Sequence, residues 1–163
     1  QTQQEIDLFV KSMRRVKAVT KNPRFPYALS EIRAFYHCQE PIAKMTTRTG
    51  AMDLAQIAGD AGLTIVYAEP VFVGGGDGSS GYGYTLNCTF TESGGAWDCW
   101  PEYGTVLQYL DLCNVTKDNS HKAEFLWPRV AKYFGAQWMY AIEPIRIPID
   151  PAQIDQSLLI PIH

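Results

Sequence analysis

One stretch, residues 73–101, constrains the fold more than any other. A glycine-rich run, VGGGDGSSGYG, leads straight into the alternating segment YTLNCTFTESGGAWDCW. Read as a hairpin, the segment places Tyr84, Leu86, Cys88, Phe90, Trp97 and Cys99 on one face. Thr85, Asn87, Thr89, Thr91, Ala96 and Asp98 fall on the other. Successive side chains of a strand point to opposite faces, so one face is apolar and the other mostly polar. Ser93, Gly94 and Gly95 suit a tight turn that needs positive φ, and a turn centred on Ser93-Gly94 puts Cys88 opposite Cys99. Facing strand residues lie about 4.5–5.5 Å apart, within disulfide range. A bridge closing so short a loop stabilises by roughly 2–3 kcal/mol. The predicted fold is therefore α+β: N-terminal helices followed by an antiparallel sheet centred on a disulfide-bridged hairpin, residues 82–101.

The chain of 163 residues fits a single domain, 1–163, that buries roughly two-thirds of its unfolded surface. Hydrophobic residues make up 46% and charged residues 19%, which excludes a disordered chain. A formal net charge of -3 with no basic patch argues against a dedicated nucleic-acid binder. No apolar run approaches the ~20 residues that span a bilayer. Four cysteines, an even number, fit an oxidised protein, with Cys38 and Cys113 as the candidate second pair. Gln1 in place of Met is what signal-peptide cleavage leaves. Asn87-Cys-Thr89 and Asn114-Val-Thr116 match the glycosylation sequon. These features predict a secreted or periplasmic protein.

Along the chain, Ile6, Phe9, Val10, Met13 and Val16 have the spacing of one helical face. Leu29-Ser30-Glu31-Ile32 opens a second predicted helix, running to about Cys38 and ended by Pro41. Residues 45–50 read as a polar connection. Met52, Leu54, Ile57 and Ala58 make a short amphipathic helix, and Leu63-Thr-Ile-Val-Tyr a strand stopped by Pro70. This helix–Gly–strand unit, residues 51–67, is similar to the small βα-type modules near the front of secretins and related envelope proteins. Residues 105–113 are ambiguous between strand and helix. A helix capped by Ser120 reaches about Phe134, disturbed by Pro128. Residues 137–142 and 145–149 read as two edge strands separated by Glu143-Pro144. The apolar tail, residues 158–162, predicts packing or a partner's contact strip.

The chemistry-bearing residues are sparse. The run Gly74-Gly75-Gly76-Asp77-Gly78 could cradle an anion, but no Gly-Lys-Ser/Thr follows and it opens a strand rather than a helix. His37 beside Cys38 suggests a base and nucleophile, yet helical neighbours point about 100° apart. His121 and Glu124 could share a metal, though no HExxH, nucleophile elbow or paired-carboxylate pattern is present. No catalytic residue, metal or cofactor is assigned. Tyr82, Tyr84, Trp97, Trp100 and Tyr103 cluster about the hairpin, with Tyr84 and Trp97 inward by parity. Asp77, Tyr82, Trp100 and Tyr103 are the candidate ligand or partner contacts.

The expected function is a non-catalytic binding or assembly domain, a subunit of a larger envelope or extracellular complex of secretion or pilus type, with a protein partner or an oligomer. The alternatives are a small secreted hydrolase with a cleft at the 74–83 loop, using Asp77 or His37, and a carbohydrate-binding module stacking sugars on Tyr82, Trp100 and Tyr103.

Overall fold

The computed structural model describes residues 13–14, 29–38, 42–73, 81–113, 121–147 and 157. In chain order the elements are β1 (Met13–Arg14), β2 (Leu29–Cys38), α1 (Ile42–Thr46), α2 (Arg48–Asp60), β3 (Ile65–Phe72), β4 (Tyr84–Phe90) and β5 (Ser93–Trp100). A short 3-10 turn (Pro101–Tyr103) then leads to β6 (Thr105–Cys113), α3 (His121–Phe134) and β7 (Ala136–Ile147). The strands form one seven-stranded sheet in the order β1-β7-β2-β6-β5-β4-β3. Six of them pair antiparallel, and β1 adds to β7 in parallel.

Among the described residues the chain builds mainly an antiparallel sheet with few helices, and no disulfide, in place of N-terminal helices ahead of a disulfide hairpin. The helices follow β2 or separate β6 from β7, and Met13–Arg14, placed by periodicity in a helix, is a strand beside β7. The rest of that predicted helix lies outside the described residues. Residues 29–38 form the central strand β2, with β7 on one side and β6 on the other. Ile32, Ala34, Tyr36 and Cys38 are buried and Arg33 is exposed between them, a period of two that a reading of helix-start residues overrode. The ambiguous segment 105–113 resolves the same way, with Val106, Gln108, Leu110 and Leu112 inward.

The cysteines form no disulfide. The β4–β5 turn falls at Thr91-Glu92, so Cys88 faces Gly95, and Cys99 sits four residues further along. Four residues of strand span about 13 Å, beyond the roughly 4.4–6.8 Å between the Cα atoms of a disulfide. Cys38 and Cys113 lie at opposite ends of the β2–β6 ladder, since Leu29 pairs with Cys113 and His37 with Thr105. None of the four is joined in a disulfide. The shift moves each strand by two residues, which preserves faces, so Tyr84, Leu86, Cys88, Phe90, Trp97 and Cys99 are buried as parity requires. Gly94 and Gly95, expected in the turn, lie within β5. A Cβ at Gly95 would come within 2.7 Å of Leu110 Cδ2 and 2.8 Å of the Tyr109 carbonyl oxygen.

All the helices contribute to the core, and their buried residues cover the inner sheet face. α2 presents the small residues Gly50, Ala51, Ala55 and Ala58 with Leu54, and α3 presents Leu126, Trp127, Val130 and Phe134. Residues 45–50, expected as a connection, belong mostly to α1 and α2. The Thr47 hydroxyl caps α2 by accepting from the Gly50 N–H at 3.1 Å. β3 runs through Pro70, paired with Leu86, because it is an edge strand and a missing N–H there costs no ladder bond. β7 passes through Glu143-Pro144 by a register shift: Glu31 pairs with Ile145 but Arg33 with Ile142, leaving an extra residue bulged at the proline. At the centre, Tyr36 Oη and Trp97 Nε1 both donate to Gln108 Oε1, at 2.9 and 2.8 Å.

Two outcomes follow. Thiol titration of the unfolded, unreduced protein finds four thiols, and dithiothreitol leaves the melting temperature unchanged. Gly95→Ala lowers stability by about 1–3 kcal/mol in urea unfolding, because its Cβ overpacks Leu110.

Candidate functional site

The turn that displaces the cysteines is the most tightly held polar feature of the chain. Glu92 is buried although it sits at a hairpin tip. Its carboxylate accepts from the Thr64 N–H at 2.9 Å, from the Thr64 hydroxyl at 3.2 Å and from Lys122 Nζ at 2.7 Å. The backbone is tied on both sides as well. Thr91 N–H donates to the Thr64 carbonyl at 2.9 Å, and Cys113 N–H donates to the Glu92 carbonyl at 2.6 Å. The link before β3, the first turn of α3 and the end of β6 thus converge on one hairpin. Burial alone would raise the Glu92 pKa. The hydrogen bonds from Lys122 and the Thr64 N–H outweigh burial and hold it at about 2.

Next to it stands Ser93, with φ 131, the one non-glycine residue of positive φ among the described residues. Such a conformation costs on the order of 1–3 kcal/mol and persists only where the surroundings impose it. Here the Glu92 anchor imposes it on one side. On the other, β5 is held between β4 and β6, with Ser93 opposite both Phe90 and Leu112. The result is an exposed serine hydroxyl beside a peptide carbonyl polarised by the Cys113 N–H. Cys113 itself lies at the end of β6, directly across from the turn. Gly94 and Gly95 follow, and the space a Cβ would take at Gly95 is already filled by Leu110 and the Tyr109 carbonyl.

Sequence reading took Ser93 only as a turn former and passed over Glu92. A carboxylate inside an alternating run, at a point where the parity also allows a turn, was the available signal. The residues that were singled out fare differently. Tyr82, Trp100 and Tyr103 are 59%, 42% and 69% exposed at one end of the sheet, and among the described residues no ring contact joins them. Trp100 Nε1 donates to Asp98 Oδ2 at 3.0 Å. Asp77 lies outside the described residues, as do Glu40 and most of the 74–83 loop. His37 and Cys38 occupy successive positions of β2 and point to opposite faces, with His37 stacked on Trp138 at 5.1 Å and Cys38 buried. Burial pushes the thiols of Cys38 up to about 11, and of Cys88 and Cys99 up to about 12, so all three stay protonated and unreactive near neutral pH. His121 packs edge-on against Phe125, and no group of three metal-ligating side chains is gathered among the described residues.

No family model and no curated protein matches this chain. Its fold is similar to the crystal structure of the adenosylmethionine decarboxylase from Aquifex aeolicus VF5, with a TM-score of 0.62 and 15% identity. The likeness covers 81% of this chain and 100% of that one. The chain therefore shares the fold of that decarboxylase, and this finding corrects the expectation of a non-catalytic envelope subunit. Of the observations behind that expectation, the disulfide hairpin is absent, and β3 of the secretin-like helix–strand unit is an edge strand of the single sheet; the apolar tail, residues 158–162, lies outside the described residues. Among the described residues no helix is long and apolar enough to cross a membrane.

The Glu92 anchor carries a pH signature. Its folded pKa lies below the ordinary value of 4.5, so its stabilisation is complete above that value and is lost as the pH falls toward about 2. The contribution is about 3 kcal/mol. Glu92→Gln, which leaves the half-buried Lys122 without this counter-charge, lowers stability at pH 7 by roughly 3 kcal/mol and flattens this acid limb, both read by urea unfolding between pH 2 and 7.

Proposed function

We propose that this chain is an enzyme of the adenosylmethionine decarboxylase type, with its reacting centre at the Glu92–Ser93 turn. The observation that carries the reading is Ser93, a serine held at φ 131 beside a carbonyl that accepts a 2.6 Å hydrogen bond. The fold shared with the Aquifex aeolicus decarboxylase supports it.

Loss of carbon dioxide from an amino acid leaves an electron pair on the α-carbon, and that pair must be drawn into an electrophile. At the 92–93 peptide the Ser93 hydroxyl is a nucleophile beside the Glu92 carbonyl, whose oxygen accepts from the Cys113 N–H. Attack of Ser93 Oγ on that carbonyl carbon would form a C–O bond, break the 92–93 C–N bond and pass the hydroxyl proton to the Ser93 nitrogen. Elimination of the Glu92 α-carboxylate from the resulting ester, then hydrolysis by water with loss of ammonia, would leave at residue 93 the carbonyl electrophile the reaction needs. Glu92 has a positioning role, because its carboxylate is fully engaged with Thr64 and Lys122 and is not free to transfer a proton.

The test is release of labelled carbon dioxide from carboxyl-labelled adenosylmethionine by the purified chain. Wild type turns the substrate over, and Ser93→Ala lowers kcat/KM by at least about 1000-fold with an unchanged circular-dichroism spectrum. A wild-type chain without turnover, or a Ser93→Ala chain as active as wild type, overturns the reading.

A further inference from the structure

The groups that hold Glu92 come from outside its own hairpin. Lys122 is the second residue of α3, and Thr64 immediately precedes β3. Lys122 Nζ donates to the Glu92 carboxylate at 2.7 Å. Thr64 donates its N–H at 2.9 Å and its hydroxyl at 3.2 Å to the same carboxylate, and its carbonyl accepts the Thr91 N–H at 2.9 Å. The Lys122 and Glu92 side chains are only 15% and 9% exposed, so water and salt screen the pair little. All of these contacts act on the chain before the 92–93 bond. Beyond that bond the holders are different. Ser93 lies opposite Phe90 in the β4–β5 ladder and opposite Leu112 in the β5–β6 ladder. Its φ of 131 is a torsion measured across the 92–93 peptide, so the strain exists only while that bond is intact.

We infer that Lys122 and Thr64 are positioning residues for cleavage of the 92–93 bond and for no later step. This role rests on the reading of the Glu92–Ser93 turn as the reacting centre. In the cleavage Ser93 Oγ bonds to the Glu92 carbonyl carbon, the C–N bond breaks and the hydroxyl proton passes to the Ser93 nitrogen. The attack needs that carbonyl held against Cys113 N–H, at 2.6 Å, while Ser93 is kept out of the negative-φ region to which a serine relaxes. Lys122 and Thr64 supply the hold from the Glu92 side, and without it the turn relaxes and carries the carbonyl away from Oγ. A misplacement of about 1 Å costs on the order of 100-fold in rate. Once the bond is broken and the Ser93 nitrogen has left as ammonia, the strained torsion no longer exists. Lys122 and Thr64 then grip only the new carboxyl end at Glu92, and residue 93 keeps its place through the two ladders. Turnover by the cleaved protein is therefore independent of both side chains.

Pulse-chase of the full chain in cell-free synthesis, followed on denaturing gels, times the conversion of residues 1–163 into pieces 1–92 and 93–163. Release of labelled carbon dioxide is then measured per cleaved chain, counted with the carbonyl reagent phenylhydrazine. Lys122→Met slows cleavage at least about 30-fold and Thr64→Val about 5-fold, while turnover per cleaved chain stays within about 3-fold of wild type. Lys122→Arg restores cleavage to within about 5-fold. Met45→Ala, which truncates a fully buried side chain of α1, lowers the melting temperature but leaves the cleavage rate unchanged. A wild-type chain that never cleaves overturns this role together with the reading beneath it. Wild-type cleavage that Lys122→Met leaves at full rate overturns the role alone. So does a Met45→Ala chain slowed as much as Lys122→Met, because general stability is then the cause. Turnover per cleaved chain that falls in step with cleavage also contradicts it.

Discussion

One buried carboxylate sets the geometry of this molecule. Glu92 sits at a hairpin tip, where a charged side chain would ordinarily point into water, and instead is turned inward onto Thr64 and Lys122. Leaving either charge of this pair alone in the interior would cost several kcal/mol, so the turn cannot slide without breaking it. The position of the turn fixes the β4–β5 register. The register places Cys88 opposite Gly95, separates the cysteines and holds Ser93 in a left-handed conformation. The hairpin needs no covalent staple because its end is tied to β3, β6 and α3 at once.

Around that fixed end the sheet is finished in two different ways. The inner face is packed with large residues, and the buried Gln108 receives both Tyr36 and Trp97. Small residues on α2 bring that helix close to the strands, and Tyr133 Oη and Tyr84 Oη pin the helical layer by donating to the Gly50 and Lys44 carbonyls. The outer face is rich in aromatic rings, with cation and ring stacks in place of a helical cover. The strained turn and the aromatic face are therefore separated in space. The strained serine lies at the hairpin tip, and the apolar surface lies over the middle strands.

Much of this was legible in the sequence where a single period governed. Alternation in residues 84–100 assigned the apolar inward side chains of the hairpin correctly, Tyr84, Leu86, Cys88, Phe90, Trp97 and Cys99, and missed Glu92. The amphipathic spacing of Leu54 and Ala58 located α2. The register was not legible, because a two-residue shift leaves all faces unchanged, and only the tertiary partners of Glu92 choose between the alternatives. Ser30-Glu31-Ile32 imitates a helix start, and the burial of β2 between two strands overrode that local signal. Prolines misled in the same manner. Pro70 and Pro144 looked like strand terminators, but an edge position and a bulge accommodate them. The candidate site escaped notice since its parts, Thr64, Glu92, Ser93, Cys113 and Lys122, are scattered along the chain and carry no motif.

The cross-strand register of the hairpin is the quantity on which the remainder rests, and nuclear Overhauser contacts between backbone protons of β4 and β5 measure it directly. A register set by Glu92 predicts contacts between Asn87 and Ala96 and between Cys88 and Gly95, with none between Cys88 and Cys99. Contacts between Cys88 and Cys99 would contradict it: the turn would centre on Ser93 and Gly94, Glu92 would leave Thr64 and Lys122, and the strain at Ser93 would vanish.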